Sequence, residues 1–212
     1  MKKIIILAIV ALSTYGLIGL TGVKEIKSNI INYDSSNCRA NDFPKQDISK
    51  QEEDALKFMR EEEKLARDFY VTMFDKWGLR PFENISRSEQ KHMDAIKNML
   101  DRYSIDDPVK NSNKGVFEDA SLKSLYLALL EQGNKSDIEA LKAAAEIEEV
   151  DIKDLIDAIK STDNEDLKFV YGNLLRASEN HLRAFTRNLN KRGVDYQPKH
   201  LDKKYYQEII NG

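Results

Sequence analysis

The chain has 212 residues, 36 acidic and 33 basic, and its formal net charge of −3 gives no support for a nucleic-acid binder, which carries a basic excess. A single cysteine, Cys38, excludes an intramolecular disulfide framework and any site built from several thiolates. Four prolines and nine glycines beside 33% charged residues exclude a turn-rich β protein and describe solvated helices, while 41% hydrophobic residues suffice for one core.

Lys2 and Lys3 precede an uncharged, largely apolar stretch over 4–23. A basic start followed by an apolar run is the layout of an export signal, and the run is also long enough to span a bilayer. Residues 1–23 are therefore expected to be a signal peptide or an N-terminal membrane anchor. Either one places the working domain outside the cytoplasm, secreted or held at the membrane. Residues 24–46 are polar without sustained period and read as a tether. The folded domain is expected over 47–212.

Helical spacing predicts a first helix over 49–77, capped by Asp47 or Ser49 and closed by Gly78. Its apolar stripe includes Phe58, Met59, Ala66, Phe69, Tyr70 and Met73. A second helix is predicted over 84–103, with Ile85, Ile96, Met99 and Tyr103 on one side. A connector broken by Pro108 and Gly115 follows, with a short helix over 122–130. Third and fourth helices are predicted over 136–160 and 164–192, and the remaining tail, with His200, reads as polar and exposed. The glutamate runs 61–63 and 146–149 read mostly as solvated faces, with one member of each turned inward. Tight joints within each pair and a long connector between pairs describe an all-α four-helix bundle, with a crossover between helices 2 and 3.

Charged residues interrupt the apolar stripes on all four helices. Glu89 and His92 are three apart and share the face of Ile85, Ile96 and Met99. Glu148 lies in the stripe of Leu141 and Ile152, with Asp151 one turn along. His181 lies between Leu174 and Phe185, and the stripe of the first helix passes across both Glu62 and Glu63. An ionised carboxylate in an apolar core costs several kcal/mol unless it is paired or coordinated. Four helices doing this at matching depth point to a shared cation, and carboxylate with imidazole suits iron, manganese or zinc.

Four phrases resemble the ferritin-like superfamily, and rubrerythrin within it. Glu63, Ala66, Arg67 and Tyr70 match its E-x-x-A-R-x-x-Y, and that match selects Glu63 over Glu62. Glu89 and His92 match its E-x-x-H. Glu148 and Asp151 stand where an E-x-x-E pair is found, and His181 matches the histidine of its last helix. The order EEEKLARDFY, ISRSEQKHMDAI, AEIEEVDIKDL, SENHLRAF and YQPKHL is similar to domain-of-unknown-function family 2202, a ferritin-like group, over about residues 50–210.

The resemblance implies a ferritin-like four-helix bundle with metal ligands Glu63, Glu89, His92, Glu148, Asp151 and His181. The implied cofactor is iron, with a di-iron pair possible and manganese or zinc as alternatives. The implied activity is iron oxidation, or reduction of peroxide or oxygen. Ser178 stands where the family has a ligand glutamate, so restoring glutamate there is expected to raise metal affinity. The chain lacks the cysteine-rich iron domain of rubrerythrin, so turnover calls for an external electron donor; a homodimer is also possible. The alternative is a metal-poor helical binding module, its inward carboxylates paired with Arg176, Arg183 or Lys168.

Overall fold

The computed structural model describes residues 39–212, so the expected signal or anchor, most of the tether and Cys38 lie outside the described residues. A short 3-10 turn, Ala40–Asp42, precedes six α-helices: α1 Lys50–Trp77, α2 Arg80–Tyr103, α3 Ala120–Gly133, α4 Asp137–Ser161, α5 Glu165–Asn190 and α6 Lys203–Asn211. No strand occurs among the described residues, and no described helix is long and apolar enough to cross a membrane.

Local chemistry explains the helix ends. Ser49 and Glu52 form a reciprocal capping box at the start of α1, with the Ser49 N–H donating to Glu52 Oε2 at 2.8 Å. Gly78 closes α1 at φ 65°, where a side chain is disfavoured. The helix α2 begins at Arg80, four residues before the periodic signal, because Pro81 sits in the first turn and its missing N–H has no partner to lose there. Ser136 caps α4 by accepting the Glu139 N–H at 3.1 Å.

The helices α1 and α2 form one tight hairpin and α4 and α5 another. Contacts of α1 with α4 and of α2 with α5 close the four-helix bundle. The crossover, carrying α3, packs on α1 and α4. At Gly133 an added Cβ would lie 2.7 Å from Met73 Sδ, so the end of α3 approaches α1 as closely as glycine allows. Along the bundle, a polar layer separates two apolar ones. Met59, Ile96, Leu155 and Leu174 are buried on one side of it; Tyr70, Phe82 and Phe185 lie on the other, with ring centroids 5.1–6.2 Å apart.

The glutamate runs are not solvated faces. Glu61, Glu62 and Glu63 are all buried, as are Glu148 and Glu149. Glu61 accepts the backbone N–H groups of Glu118 at 2.6 Å and Asp119 at 2.9 Å, pinning the crossover to α1. Beside it, Lys64 donates to Asp68 at 2.6 Å and to the Asn113 carbonyl at 2.8 Å. The Arg60 guanidinium spans Asp107 and the Met93 carbonyl. These charges are buried because distant backbone and side-chain groups satisfy them.

The segment after α5 is likewise structured. Glu149 accepts the Tyr196 hydroxyl at 2.6 Å and the backbone N–H groups of Lys199, His200 and Leu201 at 2.9–3.0 Å. His200 is exposed, as its place in a polar tail implies, and its ring lies 3.3 Å from Glu146. The unforeseen α6 packs on α5, where Arg183 donates to the Ile209 carbonyl at 2.7 Å. At the other end of the chain, the last residues of the expected tether are docked: Phe43 is buried against Phe169, with ring centroids 5.4 Å apart.

Candidate metal centre

The polar layer is assembled from one or two residues of each long helix. Glu63 comes from α1, Glu89 and His92 from α2, Glu148 from α4 and His181 from α5, and all five are buried. They form two overlapping sets, Glu63 with Glu89 and His92, and Glu89 with Glu148 and His181. Within each set the donor atoms lie within 4.8 Å of one another. Glu89 belongs to both sets. Its Oε2 lies 2.7 Å from His92 Nδ1 and its Oε1 lies 2.9 Å from His181 Nδ1. The outer carboxylates flank this axis, Glu63 Oε2 at 3.2 Å from His92 Nδ1 and Glu148 Oε2 at 3.5 Å from His181 Nδ1. The two imidazoles stack, with centroids 5.5 Å apart.

Proximity here is not the same as hydrogen bonding. Glu89 Oε1 and His181 Nδ1 are only 2.9 Å apart, yet both lack a hydrogen-bond partner, as does Glu63 Oε1. The atoms sit at ion-pair distance without forming a hydrogen bond. Buried polar atoms left in that state normally cost about 1–3 kcal/mol each, and a cation between them removes the cost.

The electrostatics follow from burial and charge. Burial opposes ionisation of Glu89, but the His181 and His92 imidazoles outweigh it and lower its pKa. Burial pushes Glu63 up to about 7, with the Glu89 charge adding to the shift and His92 opposing it. Burial also raises Glu148, against the pull of His181. Burial disfavours the charged imidazoles, yet Glu89 and Glu148 lift His181 to about 10, and Glu63 with Glu89 lift His92 well above its usual value. Both imidazoles must shed a proton when a metal binds them.

Asp151 falls outside both sets. It is buried on α4, its Oδ2 hydrogen-bonded by the Ser178 hydroxyl of α5 and its Oδ1 without a partner. Glu62, the other candidate on α1, turns away from the sets toward α4, where its closest electrostatic neighbours are Asp154 and Asp151. The basic residues that would pair with these carboxylates in a metal-poor bundle have other partners: Arg176 binds Asn173, Arg183 the Ile209 carbonyl and Lys168 the Asp163 carbonyl. On α1, Arg60 binds Asp107 and Arg67 binds Asp68 and Gln90.

Tyr70 stands in the apolar stripe of α1, yet its hydroxyl donates to Glu148 Oε1 at 2.6 Å. The signal was present in its spacing, two turns after Glu63 on the same face of α1. Removing that donor with Tyr70→Phe is expected to weaken metal binding at the Glu148–His181 position several-fold and leave the His92 position unchanged, as read by titration with cobalt.

Two three-donor sets of carboxylate and imidazole sharing one carboxylate fit a pair of first-row divalent ions. The comparisons with known proteins bear on ancestry. A protein of Methanocaldococcus jannaschii, described as uncharacterized protein MJ0754, is 53% identical over 169 residues, covering 80% of this chain and 91% of that protein. The crystal structure titled as hypothetical protein MJ0754 superposes with a TM-score of 0.79, covering 80% of this chain and 97% of the other. A family model described as an uncharacterized protein domain matches residues 52–212, and the chain belongs to that family, DUF2202.

Proposed function

We propose that this protein is a ferritin-like metal-binding protein whose bundle centre holds two metal ions, iron foremost. Glu63, Glu89 and His92 would hold one ion; Glu89, Glu148 and His181 would hold the other. The observation that carries this reading is Glu89, whose two oxygens face two different imidazoles, with Oε1 and the nearby His181 Nδ1 at ion-pair distance yet making no hydrogen bond. Manganese or zinc suits the same donors.

Iron bound there supplies one-electron redox chemistry toward peroxide or oxygen. The chain's own part is to position it. Tyr70 orients Glu148, and the rings of Tyr70, Phe82 and Phe185 exclude water from one side. Electrons would come from an external donor, in an extracytoplasmic setting consistent with the apolar stretch at 4–23.

Metal analysis of the purified full chain tests this reading. Near two iron or manganese ions per chain are expected, with His92→Ala reducing occupancy to about one. Ferrous-loaded protein mixed with peroxide should oxidise faster than free ferrous ion, as followed by absorbance. A chain that cannot be loaded, or whose occupancy ignores His92, sinks the proposal. One observation favours a metal-poor binding module instead: protonated His92 and His181 can neutralise the surrounding carboxylates without any ion. Failure to load metal would leave that reading standing.

A further inference from the structure

The two histidines of the polar layer are less deeply buried than its carboxylates. The side chains of His92 and His181 are 8% and 10% exposed, against 1% for Glu63 and 2% for Glu89 and Glu148. Each ring turns Nδ1 to the carboxylates, which leaves Nε2 on its outer edge. For His92 that outer nitrogen lies 3.5 Å from Ser88 Oγ, one turn back on α2. The rings stack across the seam between α2 and α5, and the Arg102–Asp166 ion pair, at 2.9 Å, closes the same seam further along.

Those two contacts fix which residues line the seam. On α2, Ala95 and Ser88 stand seven and fourteen residues before Arg102; on α5, Ala177 and Ala184 stand eleven and eighteen after Asp166. At about 100° per residue such spacings stay on one face, so these four small residues share the faces that meet across the seam. They also flank both histidines alike, one turn before and one turn after each. Small residues on facing helices ordinarily let the two axes approach until the side chains are buried. Here Ser88, Ala95, Ala177 and Ala184 all stay partly exposed. Their small size leaves the outer edges of both imidazoles uncovered.

Among the described residues every other approach is covered. The α1–α2 and α4–α5 seams lie inside tight hairpins, and α3 packs over α1 and α4. Aromatic rings cap one side of the polar layer and aliphatic side chains the other. Nothing passes between the imidazoles themselves, since centroids 5.5 Å apart leave only about 2 Å beyond van der Waals contact. We propose that the α2–α5 seam is the entrance to the metal centre, and that Ser88, Ala95, Ala177 and Ala184 set its width. It admits molecules as small as hydrogen peroxide and excludes bulky organic hydroperoxides. The assignment rests on the metal-centre reading and adds to it a route and a size limit. An isopropyl group added at Ala95 or Ala184 has about the bulk of the entering molecule and fills the gap.

The test compares full-length wild type, Ala95→Leu, Ala184→Leu, the milder Ala95→Val and Ala184→Val, and the control Ala158→Leu, at a partly buried alanine of α4. Each is titrated with cobalt for stoichiometry and affinity, then mixed with azide, whose binding is followed by visible absorbance. The seam variants should hold cobalt as wild type does, yet bind azide at least tenfold more slowly with leucine and less so with valine. The control should match wild type. In wild type alone, ferrous-loaded protein should be oxidised at least tenfold faster by hydrogen peroxide than by cumene hydroperoxide, each rate taken relative to free ferrous ion. Either oxidant takes one electron from each of two ferrous ions and two protons from solvent as its O–O bond breaks. Hydrogen peroxide gives two waters, and cumene hydroperoxide gives water and the alcohol. Azide rates within twofold of wild type in seam variants that keep cobalt, or equal rates with the two peroxides, overturn the entrance and leave the metal-centre reading standing. Loss of cobalt from the valine variants overturns it as well, because the seam residues would then support the ligands rather than line a passage. A wild-type chain that binds no cobalt overturns it together with the metal-centre reading.

Discussion

Replacing Glu89 with glutamine is expected to abolish both metal positions at once, whereas His92→Ala or His181→Ala should each abolish only one. The difference follows from geometry, since each histidine belongs to one ligand set and Glu89 to both. Metal content of the full-length variants is the measurement, and a Glu89→Gln protein that retains one tightly bound ion would falsify the shared-ligand arrangement. The metal-free protein should also suffer. Glu89 is the nearest carboxylate to both imidazoles, at 2.7 and 2.9 Å, and removing one member of such a buried cluster costs about 3–5 kcal/mol.

The same ion pairs set a pH dependence for the metal-free fold. The pKa of His181 is raised to about 10 in the folded state, so its contribution is complete below the unfolded value of roughly 6.5. It is lost as pH rises through about 10. Wild-type protein stripped by chelator should therefore melt at progressively lower temperature between those limits, and His181→Gln should flatten the trend. A metal-free melting temperature independent of pH across that window would contradict the pairing.

The second large effect lies away from the metal centre. Glu149→Ala removes the acceptor for the Tyr196 hydroxyl and for three consecutive backbone N–H groups. Those donors belong to a segment that packs over α4 and leads into α6. Leaving several of them unsatisfied should cost roughly 3–5 kcal/mol, or about 10 °C in melting temperature for a domain of this size. Limited proteolysis should cut the variant near 195–202 well before the wild type. A melting temperature within a degree or two of wild type would show that this clasp contributes little.

Helix ends and the central layer were largely legible in the sequence. Ser49, Gly78 and Ser136 act through neighbours a few residues away, so their signals are local. Glu63, Glu89, His92, Glu148 and His181 announced themselves by standing in apolar stripes at helical spacing, where an unpaired charge is expensive. The roles of Glu61 and Glu149 were not legible. Each is buried by backbone N–H groups about fifty residues away, and no periodicity encodes a partner at that distance. The helix α6 escaped for a related reason, as its short amphipathic pattern is stabilised by docking on α5 rather than by its own length. The Asp151–Ser178 contact needed both helices in register before either residue made sense.

The three successive glutamates in the middle of α1 each answer to a different neighbour. Glu61 holds the crossover, Glu62 faces α4, and Glu63 reaches the bundle axis. Adjacent residues on a helix are separated by about 100° of rotation, so turning α1 by one position would misdirect all three together. Apolar packing alone tolerates such rotations, because a stripe of similar side chains can settle in more than one way. Here the acids act as a rotational key, and the cost of burying them wrongly selects one packing of the bundle over its near neighbours.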